Sequence, residues 1–382
     1  MKIISINTGS SSLKFSLFNM DDESVIASGV FERIGIEHSC YTIKFNGEKY
    51  QEEVPLKTHT DAVHILLDKL TSLKIIKSLD EIDGVGHRIV QGKDLFTKSV
   101  IIDDDVMNKL EAIKHFAPLH NPAHILGIKA FQKALPNVPM TVVFDTAFHQ
   151  SMKPETYLYA VPYEWYEKYG IRKYGAHGTS HRYISETTSE LLKNDHLKLI
   201  SCHIGNGGSV TAIKDGKCVD TSMGFTPLAG IVMGTRSGDV DPSIIPPVME
   251  GENETIDDII NDLNKKSGIL GLSGISSDMR DLEAKYLEGD KRAVLTYNKY
   301  VRRITDFISS YYVLLNKADV IVFTAGVGEN SPLMREMVCD NLKCLGVKID
   351  KEKNKVRGKL AKISTDDSKV LVYVIPTDEE LM

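Results

Sequence analysis

Apolar and polar positions alternate from the first residues of the chain. Ile3, Ile4 and Ile6 form a short apolar run, a polar turn follows through Asn7 and Ser12, and Leu13, Phe15 and Leu17 then alternate with Lys14 and Ser16. That pattern predicts strand, tight turn, strand. Further strand-like alternation covers 24–31 and 41–45. The period changes over 58–73, where Ala62, Val63, Leu66, Leu67 and Leu70 share one helical face. A short element over 82–90 carries His87 and Arg88, and a helix is expected over 105–116. Asn121 followed by Pro122 reads as an N-cap with proline at the first helical position, opening a helix to about Leu135. A compact apolar strand over 140–144 delivers Asp145 at its C-terminal end.

Residues 150–173, rich in Tyr and Pro, read as a connection into a second domain. A helical pattern over 183–192 places Thr179 or Ser180 as its N-cap. Residues 199–213 then repeat the opening design of apolar run, glycine-rich turn and alternating strand, at an offset of about half the chain. Residues 320–324 similarly echo 142–146. Two echoes in one order point to a duplicated domain, although short strand-turn-strand segments also recur by chance. The stretch 220–242 is mostly loop, 293–315 is a long amphipathic helix, and 370–375 is a last strand.

Composition narrows the class. With 382 residues, two domains are expected, and 42% hydrophobic with 26% charged residues excludes a disordered chain. A formal net charge of −6 argues against a general nucleic-acid surface. The five cysteines, Cys40, Cys202, Cys218, Cys339 and Cys344, are odd in number and form no CxxC pair, so reduced thiols in a cytoplasm are expected. No apolar run is long enough to span a bilayer, so no membrane partner is expected.

Three glycine-rich turns follow strands, at Gly9, at Gly205 to Gly208 and at Gly326 to Gly328. None matches the P-loop or the dinucleotide fingerprint. Backbone N–H groups in such turns make anion cradles, though the opening turn alone reads equally well as an ordinary hairpin. Arg88 and Arg236 lie in loop-like sequence, where arginine suits bidentate recognition of carboxylate or phosphate, although a surface ion pair is the commoner role. His177 precedes a helix between small residues, a position that also suits a purely structural histidine. Asp145 follows an apolar strand, a usual place for a functional acid in open α/β folds and also for a turn cap. Phosphoryl transfer needs cations on the migrating group, a metal and a positioned acid.

The stretches Asn7-Thr8-Gly9-Ser10-Ser11-Ser12-Leu13-Lys14 and His177-Gly178-Thr179-Ser180-His181 resemble the two signatures of the acetate kinases. The resemblance continues in order through Gly86-His87-Arg88, Pro118-Leu119-His120-Asn121-Pro122, Asp145-Thr146, His203-Ile204-Gly205-Asn206-Gly207, Met233-Gly234-Thr235-Arg236, Ser277-Asp278-Met279-Arg280, the turn at 326–330 and the segment at 376–381. It implies two duplicated actin-like (ribonuclease H-like) α/β domains around a nucleotide cleft, residues 1–150 with 377–382 and residues 151–376, in a cytoplasmic homodimer.

The activity implied is reversible in-line transfer between ATP and acetate, giving acetyl phosphate and ADP. Matched positions imply Asp145, Arg88, His177 and Arg236 as catalytic residues. Asn7 and Glu379 would serve a magnesium ion, with manganese as a substitute. Lys14, Ser10 and Ser12 would line the phosphate side. ATP would further meet His203, Ile204, Gly205, Asn206 and Gly207. Asp278, Met279 and Arg280, with Gly326, Val327, Gly328, Glu329 and Asn330, would hold its nucleoside end. His120 would lie near the phosphoryl group, and Val90, Leu119, Ala176 and Pro227 would wall the acyl methyl beside Arg88. Two departures stand out. Lys93 occupies a position where many members have a second glycine, and Ala176 one where many carry Phe. The smaller residue makes propionate or butyrate an alternative acceptor, while a non-enzymatic nucleotide-driven protein of the actin or Hsp70 type is the alternative of a different class.

Overall fold

In the computed structural model, which describes residues 1–117 and 120–382, the alternating start of the chain becomes the centre of a sheet. The chain divides into two compact units, Met1–Phe148 with Asp378–Met382, and His149–Thr377.

The first unit is built on eight strands: β1 (Lys2–Thr8), β2 (Ser12–Asn19), β3 (Ser24–Glu32), β4 (Cys40–Phe45), β5 (Glu48–Glu53), β6 (Gly84–Ile89), β7 (Val100–Ile101) and β8 (Met140–Phe144). They are ordered β5-β4-β3-β2-β1-β6-β8-β7. β1 and β2 pair antiparallel with Asn7 opposite Lys14, while β1, β6 and β8 run parallel. Ile4, Ile6, Phe15 and Leu17 are buried with Leu66 and Leu70 of the helix His59–Ser72, which Thr58 opens with a capping box. A second apolar cluster joins Ile89, Val142 and Phe144 to Leu110, Ile125 and Ile128. The edge strand β5 has the sequence EKYQEE and is mostly exposed. It has no apolar face for sequence to reveal, and its charges discourage pairing with another chain.

The second unit carries β9 (Lys198–Ile204), β10 (Gly208–Lys214), β11 (Lys217–Thr221), β12 (Val320–Thr324), β13 (Ala361–Lys362) and β14 (Leu371–Val374), ordered β11-β10-β9-β12-β14-β13. The long helix Lys291–Leu314 buries Tyr297, Tyr300, Ile304 and Ile308 in the same core as Ile200, Cys202 and Phe323 of the sheet.

The five-strand cores repeat. β3-β2-β1-β6-β8 and β11-β10-β9-β12-β14 share strand order and strand direction throughout. The turn between β1 and β2 therefore corresponds to that between β9 and β10. The second expected echo is corrected: Val320–Thr324 corresponds in topology to β6, and β8 corresponds to β14. Short buried parallel strands are all apolar runs, so their composition cannot say which strand of a sheet they are. The corrected match makes Asp145, whose N–H donates to the carbonyl of Ile89 at 3.0 Å, the counterpart of Ile375, whose N–H donates to that of Phe323 at 3.2 Å. An acid in one unit occupies the place of an apolar residue in the other.

Two helix starts also differ from expectation. His120, not Asn121, stands at the N-cap of the helix Asn121–Ala134. Asn121 instead turns its buried amide to Gln91, donating to its carbonyl at 2.8 Å and accepting from its N–H at 3.3 Å. The helix Gly178–Leu192 is capped not by Thr179 or Ser180 but by His177, in a left-handed conformation with φ 58° and ψ 24°. Such a conformation is uncommon for a non-glycine residue and concentrates at functional sites.

Candidate active site

In the first unit the parallel strands β1, β6 and β8 end on one side, so Asn7, Arg88 and Asp145 are delivered together by topology. Arg88 Nε donates to Asp145 Oδ1 at 3.1 Å, Nη2 donates to Oδ2, and Nη1 reaches Asn7 Oδ1 at 3.3 Å. Asp145 is 1% exposed and the Arg88 side chain 30%. Burial opposes the guanidinium charge, but Asp145, with help from Glu379, holds it firmly protonated.

Glu379 belongs to the C-terminal segment that returns to this unit. Burial first, then the Asp145 carboxylate, push its carboxyl up to about 7 against the pull of Arg88. Its Oε1 is buried with no hydrogen-bond partner among the described residues. Among the described residues no group of three or more His, Cys, Asp or Glu could hold a metal alone. An orphaned carboxyl oxygen close enough to feel the Asp145 carboxylate still suits an ion that keeps most of its waters, as magnesium does.

Neighbouring residues are held tightly. The N–H of Lys93 donates to Gln91 Oε1 at 2.8 Å, and Lys93 sits at φ 56°, a backbone region that glycine adopts freely. Its ammonium lies 4.7 Å from the Phe116 ring centre. His120 and His124 have ring centres 6.5 Å apart. Burial, with Arg88 and His120 adding, drops the His124 imidazole to about 3. In the opening turn Gly9 donates to the Ser12 carbonyl at 2.7 Å, Ser10 and Lys14 are exposed, and Ser12 is half-buried. Val90 is buried. Leu119, expected in the acyl wall, lies outside the described residues.

In the second unit the turn between β9 and β10 closes with the N–H of Gly205 donating to the Gly207 carbonyl at 3.0 Å. His177 Nε2 and Arg236 Nη1 each lie 3.5 Å from where a Cβ on Gly207 would stand, so both side chains converge on this turn. Arg236 donates to the Pro227 carbonyl at 3.2 Å. Among the described residues it has no carboxylate partner, and burial lowers its affinity for its proton. A partly desolvated guanidinium without an anion suits a phosphoryl group. His203 stacks on His177 with centres 4.1 Å apart, and its Nδ1 meets Ser180 Oγ at 2.8 Å. Ala176 is 3% exposed within the core, and its carbonyl meets His149 Nε2 at 2.9 Å.

A cavity of about 870 Å³ in this unit is lined by eight of the expected nucleotide residues: Gly205, Asn206, Asp278, Met279, Arg280, Gly326, Val327 and Asn330. Asp278 also caps the helix Met279–Leu287, and its carboxyl is lowered to about 2 by hydrogen bonds from Arg280. His203, Ile204, Gly207, Gly328 and Glu329 do not line the cavity wall. Glu329 instead accepts the N–H of Thr377 at 3.2 Å, and the Gly328 carbonyl accepts Arg335 Nη1 at 2.8 Å. Glu283, Leu287 and Arg357 join the wall without having been anticipated. They lie in charged helical or loop sequence with no local signal.

Duplicated actin-like units with glycine turns at strand ends are the architecture of nucleotide-using proteins, a class that includes phosphotransferases. The acetokinase family model matches residues 2–382, and the chain belongs to that family. The acetate kinase of Bacillus cytotoxicus is 55% identical over 383 residues, covering 100% of this chain and 96% of that protein. The solved acetate kinase of Porphyromonas gingivalis matches at 44% identity and a TM-score of 0.96, covering 100% of this chain and 97% of that one. A solved propionate kinase from Francisella tularensis matches at 41% and 0.94 with the same coverage. No helix among the described residues is long and apolar enough to cross a membrane.

Proposed function

We propose that this acetokinase-family enzyme transfers the γ-phosphoryl group of ATP to the carboxylate of acetate, giving acetyl phosphate and ADP, reversibly. The observation that carries the reading is the full-length match to acetate kinases at 55% identity, and the polar groups of each unit suit the parts they would take.

Arg88, kept charged beside Asp145, binds the acid's carboxylate. Asp145 orients Arg88 and the incoming acid. At neutral pH acetate is already ionised, so little general-base work is required of it. Arg236 and His177 stabilise charge on the migrating phosphoryl group, with His120 near it, while Ser10, Ser12 and Lys14 serve the phosphates. The cavity of the second unit takes the nucleoside. Asn7 and Glu379 would hold a magnesium ion, with manganese as a substitute. When bound, such an ion supplies charge neutralisation on phosphate oxygens.

We read the enzyme as a cytoplasmic homodimer. The exposed aromatic side chains of Tyr163, Trp165 and Tyr169 give the second unit a surface for a second copy. The five free cysteines fit a reducing compartment.

A wider acyl pocket is the second reading, since Ala176 stands where many family members carry the larger Phe. Each extra methylene is worth only about 1–3 kcal/mol in such a pocket. ATP, magnesium and hydroxylamine are incubated with acetate, propionate or butyrate, and acyl hydroxamate is measured. Acetate is expected to react fastest and propionate measurably. No hydroxamate from any acid would remove the kinase reading, and butyrate outrunning acetate would remove the acetate assignment.

A further inference from the structure

Behind His177 lies a buried chain of three side chains. His177 Nδ1 meets Ser209 Oγ at 2.9 Å, Ser209 Oγ meets His181 Nε2 at 2.7 Å, and His181 Nδ1 meets Ser201 Oγ at 2.9 Å. Ser209, His181 and Ser201 are each 0% exposed. His177 and His181 begin successive turns of one helix, the N–H of His181 donating to the carbonyl of His177 at 3.0 Å. Ser209 and Ser201 come from the neighbouring strands β10 and β9. Helix and sheet together therefore fix the ring of His177 from behind.

The chain has a direction, and the count of protons gives it. His181 is fully buried and burial holds it neutral, so its ring carries one proton. Suppose that proton were on Nδ1 and donated to Ser201. Ser201 Oγ has no other partner among the described residues, so its O–H would be a buried donor without an acceptor, which costs roughly 1–3 kcal/mol. With the proton on Nε2, every donor is used. Ser201 donates to His181 Nδ1, His181 Nε2 donates to Ser209, and Ser209 donates to His177 Nδ1. With Nδ1 accepting that bond, the ring of His177 must carry its proton on Nε2, the atom that reaches the turn at Gly207 beside Arg236.

We propose that Ser201, His181 and Ser209 are positioning residues that hold His177 in the Nε2–H form, making it a fixed neutral donor toward the phosphoryl group. The inference deepens the role given to His177 above and rests on it. None of the three touches substrate. Their part is to remove the freedom of the ring to turn and of its proton to choose a nitrogen, so that no reorganisation is needed when charge develops.

The test uses the full-length enzyme with ¹⁵N-labelled histidine at neutral pH. Long-range ¹H–¹⁵N spectra assign His177 by its loss in His177→Gln. In the parent, Nε2 is expected to carry the proton and Nδ1 none. Ser209→Ala, or Ser201→Ala if the first folds poorly, is expected to give a mixture of tautomers. Ser209→Ala is expected to lower kcat by about 10–100-fold while KM for ATP moves less than about threefold. In a His177→Gln background the same change is expected to add less than about twofold, because interacting sites are not additive. A proton on Nδ1 in the parent, or full additivity of the two substitutions, would overturn the relay. An unchanged kcat in His177→Gln alone would instead overturn the role of His177, and the tautomer spectrum would still decide the relay separately.

Discussion

Acid should loosen the first unit through two histidines that its fold cannot protonate. His87 is 2% exposed and packs edge-on against Phe131 at 5.3 Å between ring centres, and its Nε2 has no partner among the described residues. Burial lowers it from 6.5 to about 3. His124 is 3% exposed, its Nδ1 has no partner among the described residues, and it too falls to about 3. The sign follows from which state takes the proton. Between pH 6.5 and about 3 the unfolded chain holds each of these protons and the folded one does not. The stability they carry is therefore whole above 6.5 and is lost as pH falls below it.

Integrating that linkage from pH 7 to pH 5 gives a loss of about 2 kcal/mol for each histidine, and Glu379, raised to about 7 in the same unit, takes up its proton when folded and offsets about 2 kcal/mol, leaving a net loss of ~2 kcal/mol. That is a large part of the 5–15 kcal/mol that holds a typical domain folded. Trp165 lies in the second unit, so tryptophan fluorescence would report the wrong half. Hydrogen exchange of β1 and β6 amides in mild urea, corrected for intrinsic rates, reads the first unit directly. His87→Phe should lose ~2 kcal/mol less than the parent over the same interval. Any packing cost of the larger ring is independent of pH and cancels in the difference. Equal acid losses in parent and variant would refute the reasoning.

Other substitutions probe the site and its frame. Asp145→Ala should destabilise the first unit by roughly 3–5 kcal/mol in urea unfolding, because it strips the partner from a largely buried guanidinium, whereas Asp145→Asn should mainly lower turnover. Arg236→Ala should cut kcat while ATP affinity by calorimetry changes little, and a comparable loss in both would move Arg236 from transfer to binding. Gly127→Ala places a Cβ 2.4 Å from Thr8 Oγ1. It should cost about 1–3 kcal/mol, much of it restored by Thr8→Ala in the double variant. Glu379→Gln should raise the magnesium concentration needed for half-maximal hydroxamate formation, and chelation should abolish the reaction in the parent.

Much of the site could be read locally because its residues sit at the ends of regular elements. Asp145 follows a strand that composition marks plainly, and the alternation through Leu13 and Phe15 marks β2 as a strand, although Ser16 and Phe18 on its other face are buried as well. The helix His59–Ser72 is written in both its apolar face and its capping box. These features depend on neighbours within a few residues, and one sequence holds all of that information.

Pairings over long separations were decided elsewhere. Nothing near Val320 says that β12 answers to β6 rather than β8, since that depends on which strands flank it. Asn121 carries a good capping side chain, yet the hydrogen bonds offered by Gln91 take it. His177 reads as a residue before a helix, but its backbone strain and its link through Ser209 to His181 exist only once helix and sheet pack together. The sequence by itself determined the elements, the family and the chemical kit. Tertiary structure alone decided which side chains meet, how the buried protons are placed, and that Glu379 joins the first unit with a carboxyl oxygen left unsatisfied. Local periodicity encodes burial, whereas hydrogen bonds between distant segments form only where the closed fold has removed the water that would otherwise satisfy them.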